Sequence, residues 1–314
     1  MRVLITGATG FTGTALIRYL APLGGEITGI VRRTPDSGSS GNHGVAWIQA
    51  DLRDPESIAD AIKKANPEAL IHLAALNRGA FADLLAVNVA GTNNVLDGVL
   101  KHCPGCRTLV VSSSAVYGYP GDEPITEDCP FAPLSEYGVS KAGEDCLALM
   151  YHRLQRMAVA VARPFNIIGP GQSSAFVCGR IIEQVHEAKR KQTDTIDLAE
   201  TTSCRDFIDV RDVAEGLWAI ISYPEFLEKC AGKAFNLGSE KAVSIGELLC
   251  HIEAISGMKL RVRLPSDPVH VHLQSQRSDC TRIRELTGWS PRITLSASLK
   301  GMYEFRNALG KTPG

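Results

Sequence analysis

A doubly wound α/β fold, with a parallel sheet and a smaller mixed α/β lobe behind it, is predicted by three features of the 314-residue chain. Short apolar, β-branched runs alternate with helix-period segments through the first half. The first run leads at once into a glycine-rich turn and a helix. After about residue 165 the alternation loosens. Strand and helix in strict alternation imply parallel pairing, because each crossover lays its helix on a sheet face.

The elements follow in order. Val3-Leu4-Ile5, Ile27 to Val31, Val45 to Ile48, Leu70-Ile71, Leu109 to Val111 and Val159 to Ala162 read as strands, with helices expected near 11–21, 54–65, 81–102 and 135–156. The later half predicts helices near 174–190, 211–222, 244–256 and 294–308 and short strands near 195–198, 205–209 and 234–237. Residues 1–165 are expected to form the first domain, with about 205–222 returning to it, and 166–314 mainly a second lobe. Gly38-Ser39-Ser40-Gly41 reads as a surface loop within the first domain.

Composition narrows the function. With 33 basic and 34 acidic residues the net charge is −1, which gives no global reason to bind nucleic acid or an anionic membrane. No apolar run reaches the roughly 18 residues of a bilayer span, and no secretory signal follows Met1. A cytoplasmic protein acting on small molecules is expected. The nine cysteines are odd in number and scattered, so reduced thiols are expected. Cys103-Pro-Gly-Cys106 has zinc-like spacing but no second ligand pair, and reads as a Pro-Gly turn before a strand at 107–111. His270 and His272 alternate as on a strand and lack a third ligand. No metal site is predicted.

The first strand runs into Thr6-Gly7-Ala8-Thr9-Gly10-Phe11-Thr12-Gly13. Glycines at 7, 10 and 13 allow a tight turn, close approach of a pyrophosphate and close packing of helix on sheet, and the helix N-terminus favours the anion. A dinucleotide site is therefore expected. The second strand ends at Arg32-Arg33 rather than at a carboxylate, which favours a 2′-phosphate and NADP over NAD. Asp51-Leu52 after the third strand is placed for the adenine, and Ala74-Ala75 after the fourth lets the backbone pass close to the cofactor.

The fifth strand ends in Ser112-Ser113-Ser114, and Tyr137-Gly-Val-Ser-Lys141 opens a later helix. An i, i+4 spacing puts phenol and ammonium on one face. The ammonium favours tyrosinate, which makes Tyr137 a usable proton donor or acceptor.

With these residues the chain resembles the extended short-chain dehydrogenases/reductases of the epimerase/dehydratase type, which act on nucleotide sugars. Thr6 to Gly13, Asp51-Leu52, Asn88, Ser112 to Gly118, Tyr137, Lys141, Arg163-Pro-Phe-Asn166, Gly169-Pro-Gly171-Gln172, Arg205-Asp-Phe-Ile-Asp209 and Gly288-Trp289-Ser-Pro291 match its motifs, the last two in the substrate lobe. The resemblance implies a Rossmann-type fold. It implies that Ser113 polarises the sugar oxygen, that Tyr137 moves its proton and that Lys141 also holds the nicotinamide ribose. Thr9, Phe11, Thr12, Leu73, Asn88, Ser112 and Pro164 join the cofactor contacts, and Ser114, Asn166 and Arg205 bind substrate, Arg205 at its diphosphate. Relatives often carry an arginine pair after an Asp-Pro in the last lobe. Here Asp267-Pro268 is followed by Val269-His270-Val271-His272, and Arg277 is the nearest basic substitute.

Dehydratases of this type use a glutamate where this chain has Ala115, so elimination of water is not expected. Net reduction of a 4-keto sugar by NADPH is favoured by Arg32 and Arg33, and the 162–172 and 203–209 runs look most like the reductases of GDP-4-keto-6-deoxymannose. A UDP-glucose 4-epimerase-like enzyme with tightly held NAD is the alternative, and a non-catalytic dinucleotide sensor a remoter one. The resemblance also implies a homodimer through the helices at 81–102 and 137–156. Their apolar residues are Phe81, Leu84, Leu85, Val89, Val95, Leu96 and Val99 on one, and Val139, Cys146, Leu149 and Met150 on the other. Core packing would produce the same stripes.

Overall fold

In a computed structural model, residues 1–34, 44–265 and 275–309 are described. The strands β1 (Arg2–Thr6), β2 (Glu26–Val31), β3 (Ala46–Gln49), β4 (Ala69–His72), β5 (Arg107–Val111) and β6 (Val159–Pro164) form one sheet. A seventh strand, β10 (Ala234–Leu237), completes the order β10-β6-β5-β4-β1-β2-β3, parallel throughout. The strand at 234–237, expected in the second lobe, thus lies beside β6 and extends the large sheet. Its four residues are all buried.

Period-two alternation decides which face each strand residue serves. Val3 and Ile5 pack with α1 (Phe11–Leu20) and α7 (Val210–Ile221), and Leu4 packs on the other face with α2 (Pro55–Ala65) and α4 (Gly91–His102). Helix α2 starts where Asp54 accepts the N–H groups of Glu56 and Ser57, with Pro55 at its first position, a combination that satisfies otherwise orphaned donors.

The helical run expected at 81–102 is interrupted. It comprises α3 (Phe81–Leu84), a π-helical segment Leu85–Ala90 and α4. Such bulges cluster at functional sites, and this one holds Asn88. Helix α5 (Glu136–Gln155) opens on Ser135, whose hydroxyl accepts the Gly138 N–H at 3.0 Å.

The second lobe has its own core. Helices α6 (Val177–Lys191), α9 (Ile245–Ser256) and α11 (Leu295–Leu309) close around Ile181, Leu248 and Leu299. A three-stranded sheet lies among them, with β7 (Asn166–Ile168) parallel to β9 (Cys204–Asp209) and β11 (Ala242–Ser244) antiparallel to β9. A second pair joins β8 (Thr195–Asp197) to β12 (Arg261–Arg263). Strands β7, β11 and β12 are three residues each, too short to leave a period in the sequence. The stretch 205–222 accordingly divides: β9 stays in the small sheet and α7 lies on the large one. The Gly288-Trp289 motif is also displaced from its expected place in the substrate lobe. Trp289 donates to the Asp212 carbonyl at 3.1 Å and packs against Gly216 of α7.

Cys103-Pro-Gly-Cys106 is a turn closed by the Cys106 N–H on the Cys103 carbonyl at 2.8 Å. All nine cysteines are free. Among the described residues no helix is long and apolar enough to cross a membrane. The loop at 38–41 and the stretch from Asp267 to His272 lie outside the described residues.

Candidate active site

Strand order reverses between β1 and β4, and ligands of open α/β sheets bind at the carboxyl ends flanking that point. Gly7 turns the chain there with φ +67°, and a Cβ on it would meet the Ala74 backbone at 2.8 Å. Gly13 permits a closer approach: a Cβ would stand 2.3 Å from the Gly7 carbonyl. Helix α1 begins at once with Gly10 as its N-cap, with no side-chain cap and no acid in its first turn. Its leading N–H groups and dipole are therefore available to an anion. These features fit the pyrophosphate of a dinucleotide, which Gly7, Thr9, Gly10, Phe11, Thr12 and Gly13 would hold.

Arg32 and Arg33 are exposed just past β2. Asp51 lies within the field of Arg32 but is already engaged. Arg53 grips both its oxygens, at 3.1 and 2.6 Å, and this bonding holds its carboxyl down at about 2. Arg53 escaped the sequence reading, although Asp-x-Arg spacing could have suggested the pair. The Leu52 side chain is buried against Gly91, and its carbonyl accepts from Asn94.

Asn88 is also turned inward. It is fully buried, with its amide N–H groups donated to the Leu76 carbonyl and Ser140 Oγ while Oδ1 accepts the Leu76 N–H. It braces the loop after β4. Leu73, Ala74 and Ala75 form that loop's start, knitted to β1 by the Ala74 N–H on Thr6 Oγ1 at 3.2 Å. His72, unremarked in the sequence, sits fully buried between Thr6 and Thr92. Burial, with the nearby Lys141 charge, pushes its pKa down to about 3, so it is a neutral bridge.

The serine cluster separates into three roles. Ser112 is buried and donates to Asp145 Oδ2 at 3.0 Å, away from any cofactor. Ser114 is buried at the start of the short turn Ser114–Val116. Ser113 remains partly exposed, and its hydroxyl accepts the Ala115 N–H at 3.2 Å. That bond orients the oxygen and leaves the O–H free to donate.

Helix α5 comes down directly on this turn. A Cβ on Gly138 would lie 2.7 Å from the Ala115 carbonyl, so glycine after Tyr137 is what lets α5 close on the turn that follows Ser113. Tyr137 is half-buried, and its hydroxyl makes no hydrogen bond among the described residues. Lys141 is buried, donating to the Val111 carbonyl and to Glu144 Oε2, both at 2.7 Å. Burial alone would lower its pKa, but Glu144 and Tyr137 outweigh that and raise it, so it stays an ammonium. Behind it Asp145 binds Arg163 at 3.0 Å, and Arg163 donates to Tyr117 and to the Glu127 carbonyl. Pro164 is buried at the end of β6.

On the small sheet, Asn166 of β7 donates to the Asp206 carbonyl at 3.0 Å and so lies beside Arg205 of β9. Arg205 Nε is buried without a hydrogen-bond partner among the described residues. The residue as a whole is partly exposed, and its charge helps hold the Glu200 carboxyl down. Asp206, fully buried, ties down Ser239, Glu240 and Ser278 around it. Arg277 is exposed on the segment that bridges Cys204 and Ile125.

A glycine turn at the helix on the first strand, with serine, tyrosine and lysine gathered at the carboxyl edge of the same sheet, defines a short-chain dehydrogenase/reductase. Residues 4–302 match the model of the GDP-mannose 4,6 dehydratase family, and the chain belongs to that family. It is 31% identical over 312 residues to GDP-6-deoxy-D-mannose reductase of Pseudomonas aeruginosa, covering 96% of this chain and 95% of that one. UDP-glucose 4-epimerase of Mycolicibacterium smegmatis is 29% identical over 97% of this chain and 98% of its own. The solved structure of RMD from Pseudomonas aeruginosa complexed with NADPH superposes with a TM-score of 0.83, at 28% identity over 98% of this chain and all of the other. The protein is thus an NAD(P)-dependent enzyme of the nucleotide-sugar reductase, epimerase and dehydratase class.

Proposed function

We propose that this enzyme reduces the 4-keto group of a nucleoside-diphosphate 4-keto-6-deoxyhexose with NADPH. What supports this is Arg32 and Arg33 just past β2, which suit the 2′-phosphate of NADPH, while among the described residues no free base stands beside the triad, which argues against dehydration. The residue two after Ser113 is Ala115, and the two carboxylates that follow Lys141 are inaccessible. Glu144 is 1% and Asp145 0% exposed, one paired with Lys141 and the other with Arg163. Neither is available to take a proton from sugar carbon, and in this reading Ser113 and Tyr137 serve one oxygen. Likeness to a GDP-6-deoxy-D-mannose reductase over nearly the whole chain points the same way.

Bound NADPH would supply the hydride. Ser113 donates a hydrogen bond to the ketone oxygen, Tyr137 delivers the proton as that oxygen gains charge, and Lys141 stabilises the resulting phenolate. Arg205, with Asn166 and Arg277, would hold the diphosphate. Arg32 and Arg33 would meet the 2′-phosphate. In this reading residues 1–165, with α7 and β10, carry the cofactor, and the remainder mainly carries the sugar nucleotide.

Following nicotinamide absorbance and product identity with GDP-, UDP-, dTDP- and CDP-linked sugars, both the 4-keto-6-deoxyhexoses and the 4-hydroxy hexoses, is the test. Stoichiometric oxidation of NADPH, at least about tenfold faster than of NADH, is expected. Isomer formation without net oxidation would replace this reading with the epimerase, and inertness toward the whole panel with the sensor.

The enzyme is also proposed to act as a homodimer. Leu84, Val95, Leu96 and Val99, expected at the interface, are buried in the core, but Phe81, Leu85, Val139, Cys146 and Met150 remain exposed on α3 to α5. Equilibrium sedimentation should give twice the chain mass; a monomer at all concentrations would refute this.

A further inference from the structure

We infer that Glu144 is a positioning residue that sets the acid strength of Tyr137 through Lys141 and keeps the phenol in its proton-donating form. The inference rests on the reductase reading, in which Tyr137 must begin the step protonated. Glu144 lies one helical turn beyond Lys141 on the same face, and its Oε2 is 2.7 Å from the ammonium. The Val111 carbonyl takes a second N–H at 2.7 Å. An ammonium has three donors. One is left for the side that carries Tyr137.

A lysine alone would place a full positive charge beside the phenol and favour tyrosinate. Here the Lys141 and Glu144 side chains are only 3% and 1% exposed, so water and salt screen neither. What Tyr137 meets is an ion pair, whose field at the phenol is a fraction of a bare charge. The other carboxylate oxygen, Glu144 Oε1, is buried with no hydrogen-bond partner. Leaving a buried acceptor unmade is costly, so Glu144 is not completing a structural network. Its one side-chain partner among the described residues is the catalytic lysine.

The surroundings leave this pair as the one that responds. Asp145, on the same helix, is tied to Arg163 of β6 and to Ser112. His72, from β4, is held neutral by burial. Beta-strand β5 contributes the Val111 carbonyl, and the π-helical segment contributes uncharged Asn88, bonded to Ser140. Burial pushes the Glu144 carboxyl up to about 7 against the pull of Lys141. As pH rises through that range the carboxylate forms, weakens the lysine field and opposes ionisation of Tyr137. Proton donation thereby persists to higher pH than a bare lysine would allow.

Spectrophotometric titration of tyrosinate in the intact protein, with the Tyr137→Phe spectrum subtracted, reads the Tyr137 midpoint directly. Glu144→Gln is expected to lower it by about one pH unit, a tenfold rise in acid dissociation, and to bring the alkaline limb of the turnover profile down with it. Glu144→Asp keeps the charge and should stay near the native midpoint. An unmoved midpoint in Glu144→Gln overturns the inference, as does an equal shift in both variants, which would mark a shape effect. If the glutamine variant does not fold, Glu144→Met removes the same charge and is read in the same way. The titration needs no substrate, so a failure here is distinct from a failure of the reductase assay.

Discussion

Tyr137→Phe lowers turnover by about 10²–10⁴-fold, the usual contribution of a positioned proton donor, and leaves the melting temperature unchanged. The two halves of this expectation come from different observations. The phenol oxygen makes no hydrogen bond among the described residues, so its removal orphans no partner and opens no cavity. Its ring is retained, and the close approach of Gly138 to Ala115 is untouched. The lost group is the one that must hand a proton to an alkoxide otherwise left uncompensated in a partly dry site. Cofactor affinity measured by fluorescence titration should stay within a few-fold of native, since Lys141 keeps its bonds to Val111 and Glu144. Native turnover in this variant would remove Tyr137 from the chemistry.

Gly13→Ala has the second large effect, on binding. A methyl group at this position would stand 2.3 Å from the Gly7 carbonyl and 2.8 Å from the Ala8 backbone. Both obstacles are main chain and cannot rotate away. Helix α1 must retreat from β1, which takes its N-terminal N–H groups off the anion position. Cofactor affinity should fall at least about tenfold, equivalent to about 1.4 kcal/mol, and stability should fall by about 1–3 kcal/mol, as for other overpacked sites. Gly105→Ala is the control, because nothing lies within 4 Å of its added carbon and its φ is not positive. Titration with NADPH and thermal melts of both variants check this. Native affinity in Gly13→Ala would show that the close approach has no role in binding.

How far the sequence reaches is clear from particular residues. Strands β1, β4, β5 and β6 are legible because they are buried almost throughout and so read as continuous apolar runs, while the edge strand β3 is legible only as a short apolar run. Strand β10 reads the same way, Ala-Phe-Asn-Leu, but follows a helix and a turn in the less regular half, and pairing with β6 rather than β9 is a choice between distant partners that local pattern does not encode. The glycine turn and the Tyr137–Lys141 spacing are legible because chemistry fixes them at short range. Asn88, Ser112 and Leu52 show what a motif leaves open: it marks that a residue matters, not which way its side chain faces. Asn88 faces the loop it braces, Ser112 faces Asp145, and Leu52 faces the core. The same gap hid Glu144 and Arg53, whose significance lies in a partner on the next turn or two residues away.

The most direct test of the central claim uses NADPH deuterated at the transferred position of the nicotinamide, with a GDP-linked 4-keto-6-deoxyhexose as acceptor. The account predicts one oxidised cofactor per sugar and one deuterium at C4 of the product, with Tyr137→Phe suppressing both. Product formed without cofactor oxidation and without label at C4 would contradict it.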